Sequence, residues 1–242
     1  MIEINKIYNE NCLDTMARME DNFLDLTITS PPYDNLRAYN GYSFDFEGIA
    51  KELFRVTKKG GVIVWVVGDA VLKGSETGTS FKQALFFKEC GFNLHDTMIF
   101  EKNSSSFPAR ANSARYTQIF EYMFILSKGT PTAASLICDK KNKWAGHKDF
   151  SGKLKNPVPD FSPRNNIWKF TTSFNGVKGH PAVFPEQLVI DHLLSWSNAG
   201  ALIYDPFMGS GTTAKMAALN NRNYIGSEIS EEYCDIIKER LA

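Results

Sequence analysis

Hydrophobic positions fall into two periods along this chain, and the alternation between them predicts its architecture. Glu3 to Tyr8 alternates apolar and polar residues as a short strand does, and Leu13, Met16 and Met19 then recur at helical spacing within Cys12 to Met19. Phe23 to Thr29 is a continuous apolar, β-branched run, the pattern of a buried strand. Phe46 to Thr57 returns to helical spacing through Ile49, Ala50, Leu53, Phe54 and Val56, with Lys58, Lys59, Gly60 and Gly61 expected to form its C-terminal stop. Val62 to Val67 reads as a strand, Thr79 to Cys90 as a helix, and Leu94 to Glu101 and Gln118 to Leu126 as two more strands. After a long aperiodic interval come a helix over Pro185 to Trp196, a strand over Ala201 to Tyr204, a helix over Thr212 to Leu219, a strand over Tyr224 to Gly226 and a closing helix over Ser230 to Leu241. Strands that alternate with helices in this way predict a doubly wound, mostly parallel α/β sheet, and such sheets bind ligands beyond the carboxyl ends of their strands.

The aperiodic interval, Ser127 to Gly179, contains Pro157, Pro159, Pro163, Trp144 and Trp168 and reads as an irregular insertion. It splits the chain into residues 1–126, 127–179 and 180–242. Overall charge is balanced at 27 basic and 27 acidic residues, but Asp139 to Lys178 holds nine basic residues against three acidic ones, a net of +6. Such a patch suits a phosphate backbone, whereas a lysine-rich solvated loop is the plainer reading. A second polar loop, NSSSFPARANSARY, contributes Arg110 and Arg115. The four cysteines stand alone, the four histidines are scattered, and no metal site or disulfide framework is expected. MIEINKIYNE lacks a signal-peptide pattern, and no apolar run approaches the roughly 20 residues a bilayer needs, so the chain is expected in the cytoplasm with no membrane partner.

Two stretches carry chemistry. SPPY, Ser30 to Tyr33, follows the Phe23 to Thr29 strand. Consecutive prolines hold the backbone extended, so the Ser30 hydroxyl, the Pro31 carbonyl and the Tyr33 ring stand at fixed spacing. Two acceptors and a stacking face suit a planar amine. Alone, the tetrapeptide could equally be a turn that closes a strand. The second stretch, DPFMGSGTT from Asp205 to Thr213, joins a strand to a helix through Gly209 and Gly211, which let backbone approach a ligand at a helix N-terminus. Glu228 ends the next strand, where a ribose-binding carboxylate belongs. A phosphate-binding P-loop is the rival for this stretch, but no lysine precedes Thr212. Asp205 would also repel a pyrophosphate. A ligand with a cationic amine near Asp205 and a ribose near Glu228 fits better, and S-adenosylmethionine is one.

SPPY, then HPAVFPE at His180 to Glu186, then DPFMGSGTT, in that order, resemble the β group of exocyclic-amino DNA methyltransferases, in which the catalytic motif precedes the cofactor motif. The resemblance spans nearly the whole chain. It implies a circularly permuted, Rossmann-like methyltransferase fold with residues 127–179 as the target-recognition insertion. It also implies that Ser30, Pro31, Pro32 and Tyr33 hold a flipped base, and that Asp205, Phe207, Gly209, Gly211 and Thr212 line the methionine end of S-adenosylmethionine. Glu228 would take the ribose and His180, Pro181 and Phe184 would form a wall. Where many relatives have a Gly-Asp pair, this chain has Glu10 and Asn11, and Asn11 stands in as the adenine contact. Double-stranded DNA is the implied partner, met by Arg110, Arg115, Lys140, Lys141 and Lys143, and the resemblance admits a homodimer and a cognate restriction endonuclease. Serine at the first motif position favours N4 of cytosine, with N6 of adenine as the alternative. Two remoter readings are a protein glutamine methyltransferase, disfavoured by the motif order, and a DNA-binding protein without catalysis.

Overall fold

A computed structural model describes residues 2–32, 44–103, 114–148, 157–171 and 184–242. Its elements, in chain order, are β1 (Lys6–Tyr8), α1 (Cys12–Ala17), β2 (Leu24–Thr29), α2 (Phe46–Val56), β3 (Thr57–Val67), β4 (Val71–Leu72), β5 (Ser75–Glu76), α3 (Thr79–Glu89), β6 (Asn93–Lys102), β7 (Phe120–Ser127), β8 (Lys140–Lys141), β9 (Phe161–Ser162), β10 (Ile167–Phe170), α4 (Glu186–Trp196), β11 (Leu202–Asp205), α5 (Thr212–Leu219), β12 (Asn223–Ser227) and α6 (Glu231–Leu241). Eight strands form one sheet in the order β1-β12-β11-β2-β3-β7-β6-β10. In that sheet β7 runs antiparallel to both neighbours, and every other pairing is parallel. The doubly wound, mostly parallel sheet expected from the alternation is therefore present.

Period-two alternation sorts the strand side chains onto two faces. Ile63, Trp65 and Val67 of β3 join α1, α2 and α3 in one core through Met16, Ile49, Leu53 and Phe87. Val62, Val64 and Val66 face the other way and meet α4 and α5 through Leu188, Val189, Leu193 and Met216. Both faces are covered, which is why the parallel strands read as unbroken apolar runs.

Two elements differ from the pattern-based expectation. The Lys58 to Gly61 cluster does not end α2; Thr57 caps that helix by donating its N–H to the Leu53 carbonyl, and the cluster lies inside β3. There it takes up a register shift, because Leu24 pairs with Thr57 while Leu26 already pairs with Val62. Gly60 adopts a φ of +83°, a conformation open to glycine, and so lets the strand absorb the extra residues. The second difference lies within 127–179. β10 adds to the sheet edge beside β6, with Trp168 and Phe170 buried and Ile167 and Lys169 exposed. Trp168 stacks on the fully buried His192 of α4 at 4.7 Å, and Arg164 bridges Asp139 and Asp191 at 2.6 Å each. Burial pushes the His192 imidazole down to about 3, so it sits in the core as a neutral ring. Among the described residues no helix is long and apolar enough to cross a membrane.

Candidate active site

The parallel strands deliver their carboxyl ends to one edge. In register, Tyr8 sits beside Ser227, Gly226 beside Asp205, Tyr204 beside Thr27 and Thr29 beside Trp65. β2 and β11 are neighbours, so SPPY and DPFMGSGTT leave adjacent strands although about 170 residues of chain separate them. A hydrogen bond joins them: the Thr29 hydroxyl donates to Asp205 Oδ1 at 2.6 Å. Ser30 follows Thr29 directly and Pro31 is buried. Tyr33 lies outside the described residues.

Asp205 is 2% exposed and is held on every side by neutral groups. Beyond Thr29, the Phe207 N–H donates to Oδ1 at 3.0 Å and the Thr213 hydroxyl to Oδ2 at 2.8 Å. Burial raises its pKa to about 6, against the pull of those three donors. A carboxylate offers about four acceptor sites, and three are taken. A dry carboxylate with a spare acceptor site and no cationic hydrogen-bond partner among the described residues is set up to receive an ammonium group.

The turn after Asp205 is shaped by its glycines. Gly209 and Gly211 have φ of +54° and +82°, and a Cβ on Gly211 would meet Ile237 of α6 at 3.0 Å. Glycine is therefore required both by the backbone and by the close approach of α6. Glu228, 7% exposed, accepts from Gly209 N–H at 2.7 Å and from Ser230 N–H at 2.9 Å. Its pKa is raised, first by burial and in smaller part by the nearby charge of Asp205. Those two amides leave acceptor sites for hydroxyls. Thr212 is buried at the first position of α5, and Phe207 packs with its ring edge against Trp65 at 6.3 Å and Phe44 at 5.7 Å.

The remaining expected residues divide. Asn11 caps α1, with its Oδ1 accepting from Leu13 N–H at 2.9 Å, which leaves its amide hydrogens as donors. Phe184 is half-buried against the α4 face of the sheet, while His180 and Pro181 lie outside the described residues, as does Arg110. Arg115 donates to the Gly74 carbonyl and pairs with Glu76 at 3.8 Å, so it is tied to the β4–β5 hairpin. Lys140, Lys141 and Lys143 are exposed on a finger in which β8 pairs with β9. Trp144, 62% exposed, stands at its turn with its ring edge-on to His147 at 5.9 Å.

Sequence reasoning passed over the groups that hold the site in place. Thr29 and Thr213 orient Asp205. Behind them runs a buried relay in which Tyr204 Oη lies 2.8 Å from Ser227 Oγ, Ser227 donates to Thr15 at 2.9 Å, and Thr15 donates to Glu10 at 2.7 Å. Glu10 in turn pairs with Arg18. Threonine at a strand end is ordinary β chemistry, and nothing in its position along the chain announces a partner on a distant strand.

Comparison with known proteins places the chain in a family. A family model described as DNA methylase, of the N6/N4 type, matches residues 24–239. The chain is 60% identical over 237 residues to the orphan methyltransferase M.BamHII of Bacillus amyloliquefaciens, across 90% of this chain and 88% of that one. Among solved structures, the cytosine-N4-specific PvuII DNA methyltransferase matches with a TM-score of 0.77 at 21% identity, over 98% of this chain and 86% of that one. M1.HpyAVI in complex with S-adenosylmethionine matches with a TM-score of 0.63 at 23% identity, over 98% and 99%.

Proposed function

We propose N4 of cytosine, within a specific site on duplex DNA, as the methyl acceptor of this chain, which belongs to the DNA methylase family and is an S-adenosylmethionine-dependent DNA methyltransferase. The site's placement is supported by the 2.6 Å bond from Thr29 to Asp205, which sets Ser30, the first residue of the amine-holding tetrapeptide, beside the acidic turn, and the choice of base rests on Ser30 itself. Serine there, in place of the aspartate commonest among adenine enzymes of this family, supports cytosine.

The residues present suit the cofactor. Asp205 receives the ammonium group, the backbone of Gly209 and Gly211 admits the methionine end, and Glu228 takes ribose hydroxyls. The amide hydrogens of Asn11 meet the adenine edge, with Phe184, His180 and Pro181 as a wall. When bound, S-adenosylmethionine supplies a methyl group on an electrophilic sulfonium.

The chain's own part is placement. The target base lies inside the duplex and is turned out into the pocket, at a cost of a few kcal/mol that stacking and hydrogen bonds offset. The Ser30 hydroxyl and the Pro31 carbonyl accept the two amine hydrogens, Pro32 keeps them at fixed spacing, and Tyr33 offers a face. Holding the hydrogens polarises the N–H bonds and aims the nitrogen lone pair, so the acceleration comes from alignment and electrostatics. No covalent nucleophile is needed. Cys12 is buried with its thiol pushed up to about 12, and Cys234 to about 11, which leaves both inert as thiolates.

The exposed Lys140, Lys141, Lys143 and Arg115 contact the phosphate backbone, and Arg110 is assigned the same role from the sequence. A cytoplasmic enzyme acting as a homodimer or beside a cognate endonuclease is consistent with this reading. Digesting enzyme-treated DNA to nucleosides and separating them by mass spectrometry tests the base. N4-methylcytosine is expected, and N6-methyladenine without it would overturn the choice. Ser30→Ala should slow transfer roughly 10-fold or more with cofactor affinity unchanged, since the amine then has one buried acceptor fewer.

A further inference from the structure

Arg240 stands near the end of α6, and its guanidinium reaches back to the glycine turn. Its Nη1 donates to the Ser210 carbonyl at 2.6 Å, to Ser210 Oγ at 2.9 Å and to Thr212 Oγ1 at 3.2 Å. Its Nη2 donates to Glu186 Oε1 at 3.3 Å, and Glu186 also accepts from Lys215 Nζ at 3.0 Å. The side chain is 13% exposed, and burial lowers its pKa below the usual arginine value, yet a guanidinium keeps its charge at neutral pH.

Docking α6 against the turn would need one such hydrogen bond. Here three acceptors from two nearby turn positions converge on one nitrogen. A guanidinium only donates, so it fills an acceptor site on each hydroxyl, and the hydrogens of Ser210 and Thr212 must point to something other than Arg240. Ser210 and Thr212 are both 3% exposed, so those hydrogens are not spent on bulk water. Thr212 opens α5, whose preceding Gly211 has no side chain to cap it, so the donors at this helix start are left for whatever the turn holds.

We propose that Arg240 is a positioning residue for cofactor binding. It sets the shape of the Gly209 to Thr212 turn and the direction of two hydroxyl hydrogens without touching the cofactor, and Glu186 in turn sets Arg240. Glu186 closes HPAVFPE, so the relay ties the wall segment to the turn. The inference rests on the reading of this turn as the cofactor loop.

Arg240→Lys tests it, since lysine retains the charge and the helix but brings one nitrogen on a shorter side chain, where arginine meets the turn through Nη1 and Glu186 through Nη2. Cofactor Kd by calorimetry, KM and kcat for methyl transfer, duplex DNA affinity and Tm are measured for this variant, for Glu186→Gln, and for Lys238→Met as a control on the same helix. We expect Arg240→Lys to raise the Kd and KM for S-adenosylmethionine about tenfold, with kcat within about twofold and Tm and DNA affinity unchanged. Glu186→Gln should shift the same two constants in the same direction by less, and Lys238→Met should shift neither. A folded Arg240→Lys protein with wild-type cofactor Kd overturns the inference and leaves the loop assignment standing. Loss of Tm, DNA affinity and cofactor affinity together overturns it in favour of a purely structural clamp. A wild-type chain that shows no cofactor binding overturns the loop assignment itself.

Discussion

The β2–β11 junction and the surface around the paired β8 and β9 meet charge in opposite ways. At the junction Asp205 and Glu228 are buried, and among the described residues the hydrogen bonds they receive come from neutral hydroxyls and amides. Around β8 and β9, Lys141 and Lys143 are exposed, and Lys140 donates to the side chain of Asn165 at 2.9 Å. A single small cation is held well by a few fixed dipoles in a dry place, where each is worth far more than in water. A polyanion is held by many solvated cations, each worth little and all weakened by salt. On the proposed assignments, one chain carries a dry site for a small molecule and a wet surface for a long one.

The contrast is broken most directly at Asp205. Asp205→Ala removes the ammonium partner and leaves the hydroxyls of Thr29 and Thr213 without their acceptor, so cofactor affinity should fall roughly 100-fold or more. Calorimetry that finds wild-type affinity in that variant would sink the assignment. A pH series sharpens the same point. Because burial raises the Asp205 pKa to about 6, the free protein protonates this carboxyl as pH falls through 6, and only the ionised form pairs with an ammonium. Cofactor affinity should therefore be level above that value and drop about tenfold per pH unit below it, with one proton released on binding. An affinity independent of pH between 5 and 7 would mean that Asp205 does not meet the cation. The smallest effect belongs to the finger. Changing Lys140, Lys141 and Lys143 to glutamate should weaken DNA binding and flatten its salt dependence, by about 0.9 in log–log slope for each phosphate that is no longer neutralised. Filter binding across a salt range reads this, and an unchanged slope would reduce the lysines to a solvated surface.

Much of the fold was legible because its strands are buried on both faces and its helices carry apolar residues at regular spacing. The strand from Phe23, the helix from Phe46 and the whole run from Pro185 to Leu241 fall within a residue or two of their places. β10 was not legible, since four residues set among prolines give too short a period, and what places them is the stacking of Trp168 on His192. Lys58 to Gly61 looked like a helix stop because glycine serves stops and bulges alike. SPPY and the acidic turn stand out in the sequence because prolines and glycines constrain backbone in ways that show in the letters. Their supports could not: Thr29, Thr213 and Arg240 matter through partners that only folding brings near.

The strand order has a consequence for synthesis on the ribosome. β2 lies between β3, which follows soon after it, and β11, which begins at Leu202, and β1 pairs with β12, which begins at Asn223. Until residues 202–205 emerge, β2 has one satisfied side and one open row of backbone donors and acceptors, and β1 has no partner in the sheet. Such an exposed apolar edge invites pairing with other nascent chains. β11 and β12 therefore act as a seal, and ribosomes that stall before residue 202 is made would release a product that is sticky as well as inactive.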